Sequence, residues 1–428
     1  MYTSSALILG LMVVIYIIAQ RIKLSTELSM LAAAIAGALA AGHWFPARHI
    51  AEGAITYLDI NLIFISATLF MNILKESGGV AYAVRGIIKG FHKSRVLLLI
   101  LLTILLLIPG ALTGAGSVTV LITGGMVAIV LSYMGISRIR IAAIIFLIAG
   151  LSAAAPPVSL WAMMTAAGVN MPYVGFFWPL LIPCLIGALI TIFLLGWKGT
   201  PIDIDNAFAE LPEPPAKMNW FRILIPFLAF FGLIFIGRKW PHTTPVVGLP
   251  LMFLVAALSS YLLSPRKLNF FKISSDTIKQ LLPLIGTLTC VGILVQIMTL
   301  TGVRGLLAIT FITLPTILVI GGLFIFLPIT EAVLMYGSAA VFGVPLILLF
   351  NSIGLDPIIA LAGMSIIWPL GDALPPTAII GRLTVNVVGA KESYSKFLKQ
   401  CIIPALIICI IGTLMVIYSA KLGFMTGL

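Results

Sequence analysis

The chain has 428 residues, 61% of them hydrophobic and only 9% charged, with a formal net charge of +12. Soluble domains carry about 25% charged residues, so this composition excludes a soluble globular protein and implies an all-α integral membrane protein. No nucleotide loop, metal-ligand cluster or nucleophile–base pair is present, which argues against an enzyme or an ATP-driven pump, and no cofactor is expected.

Residues 5–20 and 28–42 read as the first two spans. The first has no basic residue ahead of it and is followed by Arg21 and Lys23, the reverse of a cleavable signal, so a retained span is expected. A third span covers 56–74, and Gly78 and Gly79 then open a short segment to Lys89 that is expected along the membrane interface. Residues 95–135 form a long apolar stretch broken in the middle by Pro109-Gly110 and by LTGAGSVT, starting at Leu112. Residues 139–168 carry the pair Pro156-Pro157, and 174–197 form a further span. The polar loop 198–219, with Asp203, Asp205, Glu210, Glu213 and prolines at 201, 212, 214 and 215, reads as a linker between halves. In the second half, spans are expected at 221–236, 245–263 and 281–302, followed by an interrupted stretch at 306–350, a second double proline within 357–386, and a last span at 402–420. The stretch ILKESGGVAYAVRGI from Ile73 resembles ILVQIMTLTGVRGLL from Ile293, which points to an internal repeat. The expected division is N-terminal scaffold helices at 1–50, repeat 1 at 51–197, a cytoplasmic linker at 198–219, and repeat 2 at 220–428.

The double prolines organise this pattern. Two adjacent prolines remove two backbone donors and disfavour helix at the residue before each. Both Pro156-Pro157 and Pro375-Pro376 therefore predict a broken helix in mid-membrane, one in each half. Broken backbone at that depth is tolerated only where it lines a cavity or is wrapped in protein, and paired breaks mark the binding site of secondary transporters.

Charge decides the interrupted stretches. Lys89, Lys93 and Arg95 precede residues 95–135, and Arg138 and Arg140 follow them, so the segment enters and leaves on one side as a re-entrant hairpin. Carrying the crossings through puts the N-terminus outside. Of the 25 Lys and Arg residues, all but Arg48, Arg238, Lys239, Arg304 and Lys421 then lie inside, as the positive-inside rule requires. The same path makes 306–350 a second hairpin opening to the other face, giving about 10–12 transmembrane segments in two inverted repeats.

Four polar patches converge on this plan. The first hairpin offers Thr113, Gly114, Gly116, Ser117 and Thr119, and the second offers Pro328, Thr330, Glu331, Tyr336, Gly337 and Ser338. The breaks offer Ala155 to Ser159 and Gly371 to Thr377, including Asp372. Hydroxyls, carbonyls and carboxylates suit a hard cation such as sodium, and half-helix N-termini suit an organic anion. Candidate metal ligands are thus Gly114, Gly116, Ser117, Ala155, Thr330, Glu331, Gly337, Gly371 and Asp372. Candidate substrate contacts are Ser117, Thr119, Ser159, Tyr336, Ser338 and Thr377. Glu331 and Asp372 could serve as sodium ligands or as proton carriers. Arg382 could pair with a substrate carboxylate or snorkel to the cytoplasmic surface.

The stretches LTGAGSVTV with the following GGM, YMGISRIRIAAIIFLIAGLSAAAPPVSLWAM, and IGLDPIIALAGMSIIWPLGDALPPTAIIG resemble the ion transporter superfamily. Within it the chain looks most like the large permease subunit of tripartite ATP-independent periplasmic (TRAP) transporters, over roughly residues 50–420. The resemblance implies an elevator mechanism, a bacterial inner-membrane location and sodium-coupled uptake of a small organic anion such as a dicarboxylate. It also implies two partners, a small four-helix membrane subunit and a periplasmic substrate-binding protein. Sodium would sit near Gly114–Ser117 with Ala155–Pro157, and near Thr330–Ser338 with Gly371–Pro375. Glu331 and Asp372 stand outside that subunit's pattern. The first 90 residues look equally like stand-alone citrate or dicarboxylate carriers, so a self-sufficient symporter or a cation/proton antiporter remains open, as does a non-transport membrane protein.

Overall fold

The computed structural model describes residues 2–198, 204–240, 242 and 247–427, and among these the chain is helical, with turns and no strand. Nine helices of the described residues are long and apolar enough to cross a hydrocarbon core of about 30 Å.

The first half contains α1 (Tyr2–Arg21), α2 (Thr26–Ala40), α3 (Ala47–Ile55), α4 (Leu58–Glu76), α5 (Gly79–Phe91), α6 (Arg95–Thr113), α7 (Gly116–Thr119), a π-helical turn (Val120–Gly124), α8 (Gly125–Tyr133), α9 (Arg138–Ala154), α10 (Leu160–Gly168) and α11 (Phe177–Gly196). After the linker helix α12 (Ile204–Glu210), the second half repeats the order. It runs α13 (Trp220–Lys239), α14 (Leu249–Leu262), α15 (Phe270–Leu300), α16 (Val303–Thr313), α17 (Thr316–Leu334), a π-helical turn (Ala339–Gly343), α18 (Val344–Ser352), α19 (Pro357–Ile367), a 3₁₀ turn (Trp368–Ala373), α20 (Ile379–Val388) and α21 (Tyr394–Ile417).

Local chemistry sets many of these boundaries. Ser25, Ser94, Asn219 and Asn269 each cap a helix by accepting from a backbone N–H in its first turn. Asp356 accepts from Ile358 N and Ile359 N, with Pro357 at the first helical position. The turns into α5 and α16 use Gly78 and Gly302 in the left-handed region, at φ +85° and +74°, which accounts for the resemblance of the two stretches around them.

Two hairpins and two broken helices form the centre. Ile141 through Ala154 of α9 are all buried, as are Ile359 through Ile367 of α19, and a helix apolar on every side must be enclosed on every side. α9 packs against α6, α11, α20 and α21, and α19 against α11 and α21. The α19–α21 crossing brings Gly363 and Gly412 into backbone contact, where a side chain on either would not fit. Around this centre, α1 to α4 and α13 to α15 pack mainly on one another.

The broken helices run antiparallel. Arg138 at the start of α9 donates to Val388 O at the end of α20, at 2.8 Å, while Gly150, further along α9, lies against Pro369. Hairpin 1 (α6 to α8) has its base beside the start of α9, and hairpin 2 (α17 to α18) has its base beside the start of α19. The two therefore open at opposite faces. Each tip is buried near a break: Gly114 against Val158, and Ala332, just before the second tip, against Thr377. The sequence reading of two inverted repeats of hairpin and broken helix describes this arrangement.

Several bounds differ from those read in the sequence. Residues 306–350 are not one interrupted element. Leu314 turns extended ahead of Pro315, so α16 ends there as the counterpart of α5, and hairpin 2 begins at Thr316. The continuous apolar composition hid this division. The third span starts earlier, as α3, with an offset at Thr56 and Tyr57. The polar linker contains a helix, and Arg85 ties it down through Phe208 O, Leu211 O and Pro212 O. Asp203, Pro201 and the start of the expected span 245–263 lie outside the described residues.

This topology predicts side-specific labelling. In a background with the native cysteines replaced, Lys93→Cys and Ser137→Cys should react with an impermeant maleimide from one face of the membrane, and Thr313→Cys and Ser352→Cys from the other. Labelling of positions 93 and 137 from opposite faces would contradict it.

Candidate functional site

Each double proline leaves backbone groups without intrahelical partners, and each half resolves this in the same way. After Pro156-Pro157, Val158 N donates to Ala111 O at 3.1 Å; after Pro375-Pro376, Thr377 N donates to Ala332 O at 3.4 Å and its Oγ1 at 2.9 Å. Ala111 and Ala332 each lie three residues before a tip residue of positive φ, Gly114 (+67°) or Met335 (+53°). Both double-proline peptide bonds are cis, and both return arms pass through a π-helical turn, a feature frequent at functional sites.

Counting from these shared points aligns the half-sites. Gly116-Ser117 corresponds to Gly337-Ser338, Gly110 to Glu331, Ser152 to Gly371, and Ala153 to Asp372. In the first half the hairpin supplies the glycine: Gly110 faces the Ser152 hydroxyl, which bonds Ala149 O at 2.7 Å and Thr119 Oγ1 at 2.8 Å. In the second half the broken helix supplies it. Gly371 sits directly on Pro328 O and the Glu331 side chain.

In the first half-site Gly114 and Gly116 are buried, Gly116 lying so close to Ala149 O that an added Cβ would stand 2.8 Å from it. Ser117 is half-buried, Ala155 ends α9, and Ser159 is buried with Oγ unpartnered while its N–H donates to Tyr173 Oη at 3.3 Å. In the second, Glu331 is 0% and Asp372 3% exposed. Ser338 donates its hydroxyl to Glu331 Oε2, the Trp161 indole also lies beside the Glu331 carboxyl, and Asp372 Oδ2 has no partner. No described Lys, Arg or His lies within ion-pairing distance of either carboxylate. Thr330 turns its hydroxyl back to Leu327 O, Thr377 spends its own on Ala332 O, and Gly337 faces Val291 of α15 rather than the acidic pair. Arg382 is exposed.

The halves meet through residues that sequence reasoning did not single out. Trp161 of α10 packs on Tyr336 of the second tip, ring centroids 5.4 Å apart, and its buried indole N–H lies beside the Glu331 carboxyl. Thr165 donates to Ala339 O at 3.0 Å. On α4, Phe64 touches Gly114, and Asn61 and Thr68, on the same helical face, each bury an unpartnered side-chain oxygen. Only the stretch around the first double proline signalled Ser152 and Trp161; nothing local marked Asn61 or Thr68.

The oxygen donors at hand, Ser117 and Ser159 beside the first tip and the Glu331 and Asp372 carboxyls beside the second, are of the kind that hard cations take. Among the described residues no three His, Cys, Asp or Glu gather as a transition-metal site would require. Two cavities flank the centre. One of about 560 Å³ lies between Lys75 and Glu76 of α4 and the Arg138–Val388 end of the centre. The other, about 680 Å³, reaches Pro156 and Pro157 from the opposite face, beside Tyr173 and the start of α14.

No protein-family model and no curated protein matches the sequence. The fold is similar to that of the YdaH transporter of Alcanivorax borkumensis, whose crystal structure is described as having an unusual topology. The TM-score is 0.61 at 12% identity, over 88% of this chain and 87% of that one.

Gly371→Ala should drive a methyl into Pro328 O and Glu331 and cost about 1–3 kcal/mol of stability. Gly322→Ala, with open space around it, should cost nothing measurable. Thermal melting of the detergent-solubilised proteins checks both.

Proposed function

We propose that the protein is a secondary active transporter that takes up a small organic anion, a carboxylate, together with sodium. The observation that carries this reading is the convergence of two inverted hairpin-and-break units on buried oxygen atoms that lack partners within the protein. A soluble-type core leaves few such groups, and those that persist in a membrane interior mark an ion or substrate path. The likeness in fold to a solved transporter supports the same class.

In this reading the hairpins and broken helices carry the cargo past the surrounding helices α1 to α4 and α13 to α15. Sodium is held by Gly114, Gly116, Ser117 and Ala155 in one half and by Glu331 and Asp372 in the other. The anion meets Ser117, Ser159, Asn61 and Thr68 near the first tip. The two cavities at opposite faces support access from each side in turn. Operation as the large subunit of a TRAP system, with a four-helix subunit and a periplasmic binding protein, in the inner membrane with the N-terminus outside, belongs to the same proposal. A stand-alone carrier predicts uptake without those partners.

The test is uptake of radiolabelled mono-, di- and tricarboxylates into proteoliposomes, with and without a sodium gradient at fixed pH and voltage. Sodium-dependent uptake is expected. Pro156→Ala with Pro157→Ala should insert normally and lose uptake by about tenfold or more, equivalent to about 1.4 kcal/mol of weakened binding. Full uptake in sodium-free buffer under a pH gradient alone would overturn sodium coupling, and unchanged uptake by the proline variant would remove the breaks from the site.

A further inference from the structure

The two cavities that flank the centre differ in charge. The one reaching Pro156 and Pro157 has a single charged lining residue, Arg238. The other, about 560 Å³, is lined by Lys75 of α4, Arg138 of α9 and Arg266 of the α14–α15 connection, with Glu76 and Glu210 also on its wall. Among the described residues none of these three cations forms an ion pair with either acid. Each is held by a backbone carbonyl instead. Lys75 donates to Leu121 O at 3.0 Å, Arg138 to Val388 O at 2.8 Å and Arg266 to Glu213 O at 3.3 Å. A carbonyl fixes a cationic head group without neutralising it, and an ammonium or guanidinium keeps further N–H donors after one such bond.

Like charges around one cavity repel, and an anion seated among them removes that repulsion while taking up the spare donors. The cavity is of small-molecule size, within the usual span of about 300–1,000 Å³. Three cations from three separate elements are satisfied together only by an anion with several charged groups. The elements also differ in kind: Lys75 and Arg266 belong to the surrounding helices, Arg138 to the centre, and the carbonyl held by Lys75 to the π-helical turn of hairpin 1. We propose that this cavity binds a multivalent anion, a polycarboxylate or a phosphate ester, and that the bound anion slows transport by joining the surrounding helices to the centre. The slowing rests on the transport reading above, whereas the binding stands on these residues alone.

Titration calorimetry on the purified full chain in detergent tests the site, with citrate and pyrophosphate as probes and acetate at matched ionic strength as the control. Citrate or pyrophosphate should bind and raise the melting temperature, the tighter of the two naming the ligand class, and acetate should do neither. Lys75→Gln, Arg138→Gln and Arg266→Gln should each weaken binding by about two- to fivefold, the range of one exposed charge pair. Glu76→Gln and Glu210→Gln disturb none of the carbonyl contacts and should tighten binding, so the site stays testable should a basic variant fail to fold. Lys217→Gln, on the linker but off the cavity wall, should leave binding unchanged. Binding of neither probe, equal binding of acetate, undiminished binding in all three basic variants, or weaker binding in both acid variants would overturn the site. In vesicles that take up a carboxylate, pyrophosphate supplied at the face bearing Ser137 should slow uptake, and Arg266→Gln should relieve the slowing. Unaltered uptake would overturn the link to transport. If the probes bind as described while no carboxylate is taken up at all, the site holds and the transport reading fails.

Discussion

A helix broken inside a membrane has no water to satisfy the backbone groups it exposes, so its partners must come from the protein itself. Here they come from the hairpins. Val158 finds Ala111 O, and Thr377 finds Ala332 O, each a carbonyl freed where the first arm of a hairpin turns at a residue of positive φ. A break and a hairpin tip thus complete each other. That mutual need holds both tips buried against the breaks and draws the halves into one centre.

Enclosure follows from the same constraint. A break that must be wrapped in protein needs neighbours on all sides, and α9 and α19 are buried around their full circumference. Close approach then becomes the limiting condition wherever hairpin meets broken helix. Each half admits one side chain there by placing glycine opposite it: Gly110 opposite Ser152 and Gly371 opposite Glu331. The exchange of roles leaves the packing equivalent and the chemistry different. One contact is a hydroxyl bridge to Thr119, and the other is a carboxyl bonded by Ser338. An inverted repeat can in this way keep a shared mechanical plan while its two sites diverge in charge.

Trp161 and Thr165 give the centre its continuity. They belong to the broken helix of the first half yet contact the tip of the second, at Tyr336 and Ala339. The first break and the second tip are thus packed directly on each other.

Much of this was legible in the chain. Local backbone chemistry fixed the two breaks, because a double proline cannot continue a helix whatever surrounds it. Hydrophobic content required membrane spans, and the basic flanks of residues 95–135 required a hairpin returning to its own side. The end of α16 at Leu314 was hidden because apolar composition is the same on both sides of Pro315. What only the tertiary structure decided is which side chains share a site. Ser152 lies opposite Gly110, Trp161 reaches the other half, and Asn61 and Thr68 flank the Phe64 that touches the first tip. Such pairings join residues far apart in sequence through antiparallel packing of two halves. Periodicity, propensity and charge act over a few residues at a time, so they set where the backbone must break but not what faces the break.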